Sequence, residues 1–322
     1  MADLAEQVLK GDRLALSRLI TRIENDSPGH YTVLDQLFPH TGKAHIIGVT
    51  GPSGSGKSTL VNRLALNMVS GKNGKSSRKI GIIAVDPTSP FTGGALLGDR
   101  IRMRDLAVHP YIFIRSMASR GALGGIARAV DSAALVMDAA GFDIILIETI
   151  GAGQSEVEIA RLAHTTIVVE APGLGDDIQA AKAGILEIAD VLVVNKSDKA
   201  AADGTAQVLA AMLAVGEELH TQSSDNPHSN WQVPIIKTSA LNGDGIDELA
   251  AAVNAHRAFL QNSGEWKTRS EARLKDLLER LVRDSLYDAW NDPPNQKKME
   301  EILRLVADHQ RSPYQAARDL LK

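Results

Sequence analysis

The chain has no cysteine in its 322 residues. That excludes disulfide staples and any metal centre built on thiolates. Aromatic residues are scarce, at 4%, too few for the stacked platforms that hold single-stranded nucleic acid. No excess of positive charge exists either: 35 Lys and Arg stand against 39 Asp and Glu, a net charge of −4. A nucleic-acid binder normally carries a basic stripe. No apolar run approaches the roughly 20 residues needed to cross a bilayer. The opening segment, "MADLAEQVLKGDRLALSRLI", interleaves acids with apolar residues at helical spacing, unlike a signal peptide. The expectation is a cytoplasmic protein with neither a nucleic-acid nor a membrane partner.

What is present is enough apolar material for a large core, 44% of the residues. It is arranged in short runs: 45–50 "HIIGVT", 80–85 before Asp86, 111–115 "YIFIR", 143–148 "DIILIE", 166–170 "TIVVE", 190–195 "DVLVVN" and 233–238 "VPIIKT". Continuous runs of this length fit strands buried on both faces, as in a parallel sheet. Helical patterns over 57–69, 121–140 and 175–189 separate several of them, and 70–79 and 221–231 read as surface loops. The alternation predicts an α/β fold with a doubly wound, mostly parallel sheet over 44–262. Residues 1–43 read as an N-terminal helical extension. Its apolar positions are Leu4, Val8, Leu14, Leu16, Leu19, Ile20 and Ile23. In 263–322, Leu274, Leu277, Leu278, Leu281, Val282, Leu286 and Trp290 form one helical stripe, "NDPPN" breaks it, and Met299, Ile302, Leu303 and Val306 begin another. This tail could pack on the main domain or bury its stripe against a second copy of the chain.

Residues 50–60, "TGPSGSGKSTL", carry the clearest chemistry. Gly51, four residues, then Gly56-Lys57-Ser58 is the spacing of a phosphate-cradling loop between a strand and a helix. Its backbone N–H groups and the helix N-terminus favour the anion. Gly51, Ser53, Gly54, Ser55, Gly56 and Thr59 would line the phosphates. Lys57 would meet the β- and γ-phosphates, and Ser58 would ligate Mg²⁺. A second motif, Asn195-Lys196-Ser197-Asp198, ends a predicted strand. A carboxylate such as Asp198 can accept from guanine N1–H and the 2-amino group. Adenine offers no such donor pair and leaves the acceptor unpaired. Asn195 would support this recognition, and the Lys196 stem would pack along the base. "TSA" at 238–240 follows another strand, and a backbone N–H of Ser239, Ala240 or Leu241 could meet guanine O6. The three motifs together point to GTP and GDP rather than adenine nucleotides.

Acidic residues supply candidates for the metal. Asp86 and Glu148 end predicted strands, and Asp99 lies in "TGGALLGDR". Each could reach Mg²⁺ directly or through water, or could serve as an N-cap or solvated turn. Glu148-Thr149-Ile150-Gly151 stands where GTPases commonly have Asp-x-x-Gly, and Gly151 would offer its N–H to the γ-phosphate. Gln154 could orient the attacking water or be a solvated loop residue. Arg100, Arg102, Arg104 and Arg120 are not placed by the sequence.

Four longer segments, "VDPTSPFTGGALLGDRIRM", "SRGALGG", "ETIGAGQSE" and "PGLGDDIQAAKAGILEIAD", resemble the methylmalonyl-CoA mutase-associated GTPases of the MeaB or ArgK type. Members of that family were once described as kinases for periplasmic amino-acid-binding proteins. They are understood as chaperones of adenosylcobalamin-dependent acyl-CoA mutases. The resemblance implies that Lys57, Asp86, Asp99 and Glu148 surround the phosphates and Mg²⁺. It implies a switch over 176–188, centred on Lys182. It also implies a homodimer built through the C-terminal helical arm, slow GTP hydrolysis and a mutase partner.

Three rival functions remain to be weighed. A nickel-delivering GTPase would present Cys or His ligands, whereas this chain has no Cys and nine scattered His. A protein kinase would need an acceptor site that no motif supplies. A nucleotide-gated binding module with negligible turnover would share every motif. The Asp-x-His-x-x-Gly signature of base-off cobalamin binding is missing from the sequence, so cobalamin is expected on the partner.

Overall fold

The structure is a computed structural model that describes residues 2–69, 77–86, 106, 108–118, 125–149, 155–173, 186–221 and 231–321. Strands β1 (His45–Thr50), β2 (Ile80–Asp86), β3 (Ile112–Ala118), β4 (Ile144–Glu148), β5 (Thr165–Glu170), β6 (Val191–Asn195) and β7 (Ile235–Thr238) form one sheet in the order β3-β2-β4-β1-β5-β6-β7. Every pairing within it is parallel. The expected α/β architecture is present, and the sheet is wholly parallel.

The continuous apolar runs of the inner strands behave as predicted, whereas edge strand β7 is only half-buried. Every residue of β1, β4, β5 and β6 is buried. Successive side chains point to opposite faces, so neighbours in sequence join different cores. Ile46, Ile83, Ile145 and Ile147 pack on one side. Ile47, Val49, Ile82 and Leu146 pack on the other, against α4 (Lys57–Val69) and α8 (Ile246–Ser263). Four runs begin later than expected, with Asp143 preceding β4 and Asp190 preceding β6. Tyr111 precedes β3, and Val233 and Pro234 precede β7. Pro234 has no N–H to give a ladder, although its carbonyl accepts from Leu192 N at 2.9 Å.

Helices α1 (Ala2–Leu9), α2 (Arg13–Glu24) and α3 (His30–Leu37) bury Leu16, Leu19, Ile20, Ile23 and Val33 in the first of these cores, beside α5 (Gly125–Ala139). Asp12 caps α2 by accepting from Leu14 N and Ala15 N. Leu14 departs from expectation: it lies off the buried stripe and is exposed. Arg13 donates to the carbonyls of His109, Pro110 and Ile112, and Arg115 pairs with Glu24. These contacts cover edge strand β3, which would otherwise present open ladder groups. The carboxylate of buried Asp138 on α5 accepts from the backbone N–H groups of Gly42, Lys43 and Ala44 at 2.6–3.3 Å. It ties α5 to the segment that leads from the N-terminal helices into β1.

Helix α6 (Ser155–Leu162) lies beside β1, and α7 (Ala202–Thr221) beside β6 and β7. The chain divides into two compact units, Met1–Arg273 and Leu274–Lys322, and the division falls within the long helix α9 (Glu265–Trp290). In the second unit the predicted break at "NDPPN" is short. Asp292 caps α10 (Pro293–Ala307), and the prolines occupy its first turn, where a missing N–H costs nothing. Ile302 packs with Ala316 and Leu320 of α11 (Pro313–Leu320), and Trp290 Nε1 donates to Leu320 O at 3.1 Å. Much of the predicted stripe stays open: Leu278 is 62% exposed, Val282 50%, Leu286 66% and Leu303 60%.

Candidate nucleotide site

The predicted motifs meet at the carboxyl ends of β4, β1, β6 and β7, where open parallel sheets hold their ligands. The loop after β1 turns in positive-φ space at Gly51 (φ 136°) and Gly56 (φ 91°). Both positions also need the smallest residue. A Cβ on Gly51 would lie 2.1 Å from Val169 O, and one on Gly56 would lie 2.4 Å from Asn195 Nδ2. Buried Lys57 donates to Gly51 O and Pro52 O, each at 2.9 Å, which rests its ammonium across the mouth of the loop. Ser53, Gly54 and Thr59 are exposed. Ser55 is buried, and its Oγ has no partner among the described residues.

The second motif is bonded directly to the first. Asn195 Nδ2 donates to Ser55 O at 2.8 Å, and Lys196 Nζ to Gly54 O at 2.6 Å. Asn195 Oδ1 accepts from Thr238 Oγ1 and Ala240 N, both at 3.1 Å. Ser239 Oγ donates to Asp198 Oδ1 at 2.9 Å. Asn195, Thr238, Ser239 and Ala240 are buried, whereas Asp198 and Leu241 face outward. Thr238 opens the 238–240 motif. Its place beside Asn195 follows from the β6–β7 register, where Asn195 pairs with Thr238.

At the phosphate end, Ser58 Oγ donates to Glu148 Oε1 at 2.5 Å. Glu148 ends β4 at the register of Ala84, and Asp86 ends neighbouring β2. A hydroxyl and a carboxylate side by side are hard oxygen donors of the kind Mg²⁺ accepts. Asp99, Gly151, Gln154 and Lys182 lie outside the described residues, as does the side chain of Asp86.

A second polar cluster occupies the opposite, amino end of the sheet. The histidines are scattered in sequence, but neighbouring β1 and β5 bring His45 and His164 together and helix α8 adds His256. His45 Nε2 and His256 Nδ1 both bond Thr165 Oγ1, at 2.7 and 2.9 Å. His164 stacks on Trp266 with ring centroids 4.1 Å apart and accepts from Ile46 N through Nδ1. Asp190 holds Arg269 through two contacts of 2.9 Å and accepts from Thr166 N. Burial lowers all three histidines, aided by nearby arginines, with His164 at about 3 and His256 at about 4. His256 Nε2 lies 3.3 Å from Asp190 Oδ1. The carboxylate charge is already engaged by Arg269, so burial prevails and the ring stays neutral. Among the described residues no three His, Asp or Glu side chains gather as a metal site.

The base end separates this loop from other phosphate loops. A carboxylate braced by Ser239 suits the donor edge of guanine and would be wasted on adenine, so the class is that of P-loop GTPases. Residues 16–295 match the family described as methylmalonyl Co-A mutase-associated GTPase MeaB, and the chain belongs to that family. A Pyrococcus abyssi relative that carries a GTPase name is 43% identical over 99% of this chain and 95% of its own. The GTPase ArgK of Escherichia coli is 32% identical over 99% and 95%. The crystal structure of an LAO/AO transport system kinase superposes with a TM-score of 0.68 at 26% identity, covering 99% of this chain and 95% of that one. The protein is therefore an enzyme that binds GTP and hydrolyses it to GDP.

Proposed function

We propose that this GTPase is a nucleotide-gated chaperone of an adenosylcobalamin-dependent acyl-CoA mutase, acting as a cytoplasmic homodimer. The family match over 16–295 carries the reading. The bonded nucleotide site supports it, because a gate needs a pocket that recognises its nucleotide. In this scheme 44–262 is the GTPase domain, 1–43 its helical extension and 263–322 the dimerisation arm. The exposed stripe of Leu278, Val282, Leu286 and Leu303 supports the arm. Burying a leucine side chain contributes roughly 1.5–3 kcal/mol, and a second copy offers a matching face.

Ser58 and Glu148, with Asp86 and Asp99, would hold Mg²⁺. The ion would neutralise charge on the phosphate oxygens during transfer. Lys57 would leave Gly51 O and Pro52 O for the β- and γ-phosphates, Gly151 N–H would meet the γ-phosphate, and Gln154 would orient the water. Asp198, Asn195 and Ser239–Leu241 would read the base. The 176–188 segment with Lys182 would relay the third phosphate to the mutase, which brings the cobalamin.

The test is recovery of partners from native lysate on the immobilised protein, with GDP and with a non-hydrolysable GTP analogue. The expected result is nucleotide-dependent capture of an acyl-CoA mutase that speeds GTP turnover. No mutase in either state would refute the chaperone role. Val282→Glu with Leu286→Glu should convert dimer to monomer in sedimentation, and an unchanged mass would refute the arm.

A further inference from the structure

Arg63 belongs to none of the motifs above. It lies on α4, roughly one and a half turns past Lys57 and Ser58. Its Nε donates to Ala240 O at 3.1 Å and its Nη2 to Leu241 O at 3.0 Å. The other bonds in this loop hold different groups. Asn195 takes the Ala240 N–H, and Ser239 N donates to Asp244 O at 3.0 Å. Packing does not fix Leu241, whose side chain is 78% exposed.

We infer that Arg63 is a positioning residue for guanine recognition, whose fork over two successive carbonyls turns the Leu241 and Asn242 backbone N–H groups towards guanine O6. The reason lies in peptide geometry. A trans peptide is planar, and its C=O and following N–H point opposite ways. Holding Ala240 O therefore sets the Leu241 N–H, and holding Leu241 O sets that of Asn242. A guanidinium supplies two donors in one rigid plane, which a lysine ammonium does not. Because α4 begins at Lys57, the same rigid rod that meets the phosphates also sets the base loop. Asn67 Nδ2 donates to Asp247 Oδ1 at 2.5 Å, and this second tie registers α4 against α8 just beyond that loop. The inference rests on the guanine-site reading.

Arg63 is itself exposed, so its replacement leaves the core intact. The test uses the full chain with Arg63→Met and Arg63→Lys. It measures binding of GDP and of 2-aminopurine riboside diphosphate, which keeps the 2-amino group but lacks O6 and the N1–H. Wild type should prefer GDP strongly. Arg63→Met should weaken GDP binding roughly tenfold, the scale of one lost charge-assisted bond, and leave the O6-free analogue unchanged. KM for GTP should rise with kcat unaltered, and Arg63→Lys should recover little of the loss. Unchanged discrimination in Arg63→Met, or equal losses for both nucleotides, would overturn the inference. A wild type that does not discriminate between the two would overturn the guanine reading beneath it.

Discussion

Replacing Gly56 by alanine probes the junction between the phosphate and base loops. The new Cβ would sit 2.4 Å from Asn195 Nδ2, well inside contact distance. At φ 91° an alanine also pays backbone strain of about 1–2 kcal/mol. Relief requires Asn195 to withdraw, which breaks its 2.8 Å bond to Ser55 O. Losing a buried bond of this kind costs about 1–3 kcal/mol. Together these come to about 2–5 kcal/mol, or a loss of roughly 30-fold to several thousand-fold in GDP affinity at 1.4 kcal/mol per decade. Titration with a fluorescent GDP derivative reads it directly. A double-mutant cycle separates the two parts. In an Asn195→Ala background nothing remains for the Cβ to strike, so Gly56→Ala should then cost only the strain, about 1–2 kcal/mol. If the cost of Gly56→Ala is the same in both backgrounds, the contact argument fails.

Asp198→Asn should exchange an acceptor for a donor at the base edge. GDP affinity should fall by about 10²- to 10⁴-fold, the scale of two bonds to a charged group, and xanthosine diphosphate should bind in its place; a variant still selective for GDP would refute the assignment. Acid should destabilise the fold before carboxylates titrate. His164 and His256 are depressed to about 3 and about 4, so their contribution is full above the unfolded value of about 6.5 and is lost as pH falls towards those folded values. By pH 5 each should have cost about 2 kcal/mol, visible as a falling urea midpoint between pH 6.5 and 5; a flat midpoint there would count against neutral buried rings. Asp138→Ala should strand the N–H groups of Gly42, Lys43 and Ala44 and cost about 3–5 kcal/mol in denaturant unfolding. GDP affinity of the folded protein should be unchanged; a stable variant would mean the tie is incidental.

The strands were legible because a sheet buried on both faces tolerates little but apolar residues, as β1, β4, β5 and β6 show. The phosphate loop and the Asn195–Asp198 motif were legible because each packs its chemistry into a few consecutive positions. Arg63 was not. Its role arises from helix α4 crossing β7's loop, which no local pattern records. The histidines at 45, 164 and 256 looked scattered for the same reason, since the crossovers between parallel strands bring remote positions together. Leu14 misled because helical period alone does not say where a stripe's edge falls.

The bonds from Asn195 to Ser55 and from Lys196 to Gly54 lock the proposed base and phosphate loops into one preassembled piece. Binding there spends little ordering entropy. Such a piece also meets the same atoms in GDP and GTP. A ligand with equal affinity for two conformations cannot shift the balance between them. Whatever distinguishes the two nucleotide states must therefore reside in the groups that meet the third phosphate, and this part of the site sets only how long either nucleotide stays.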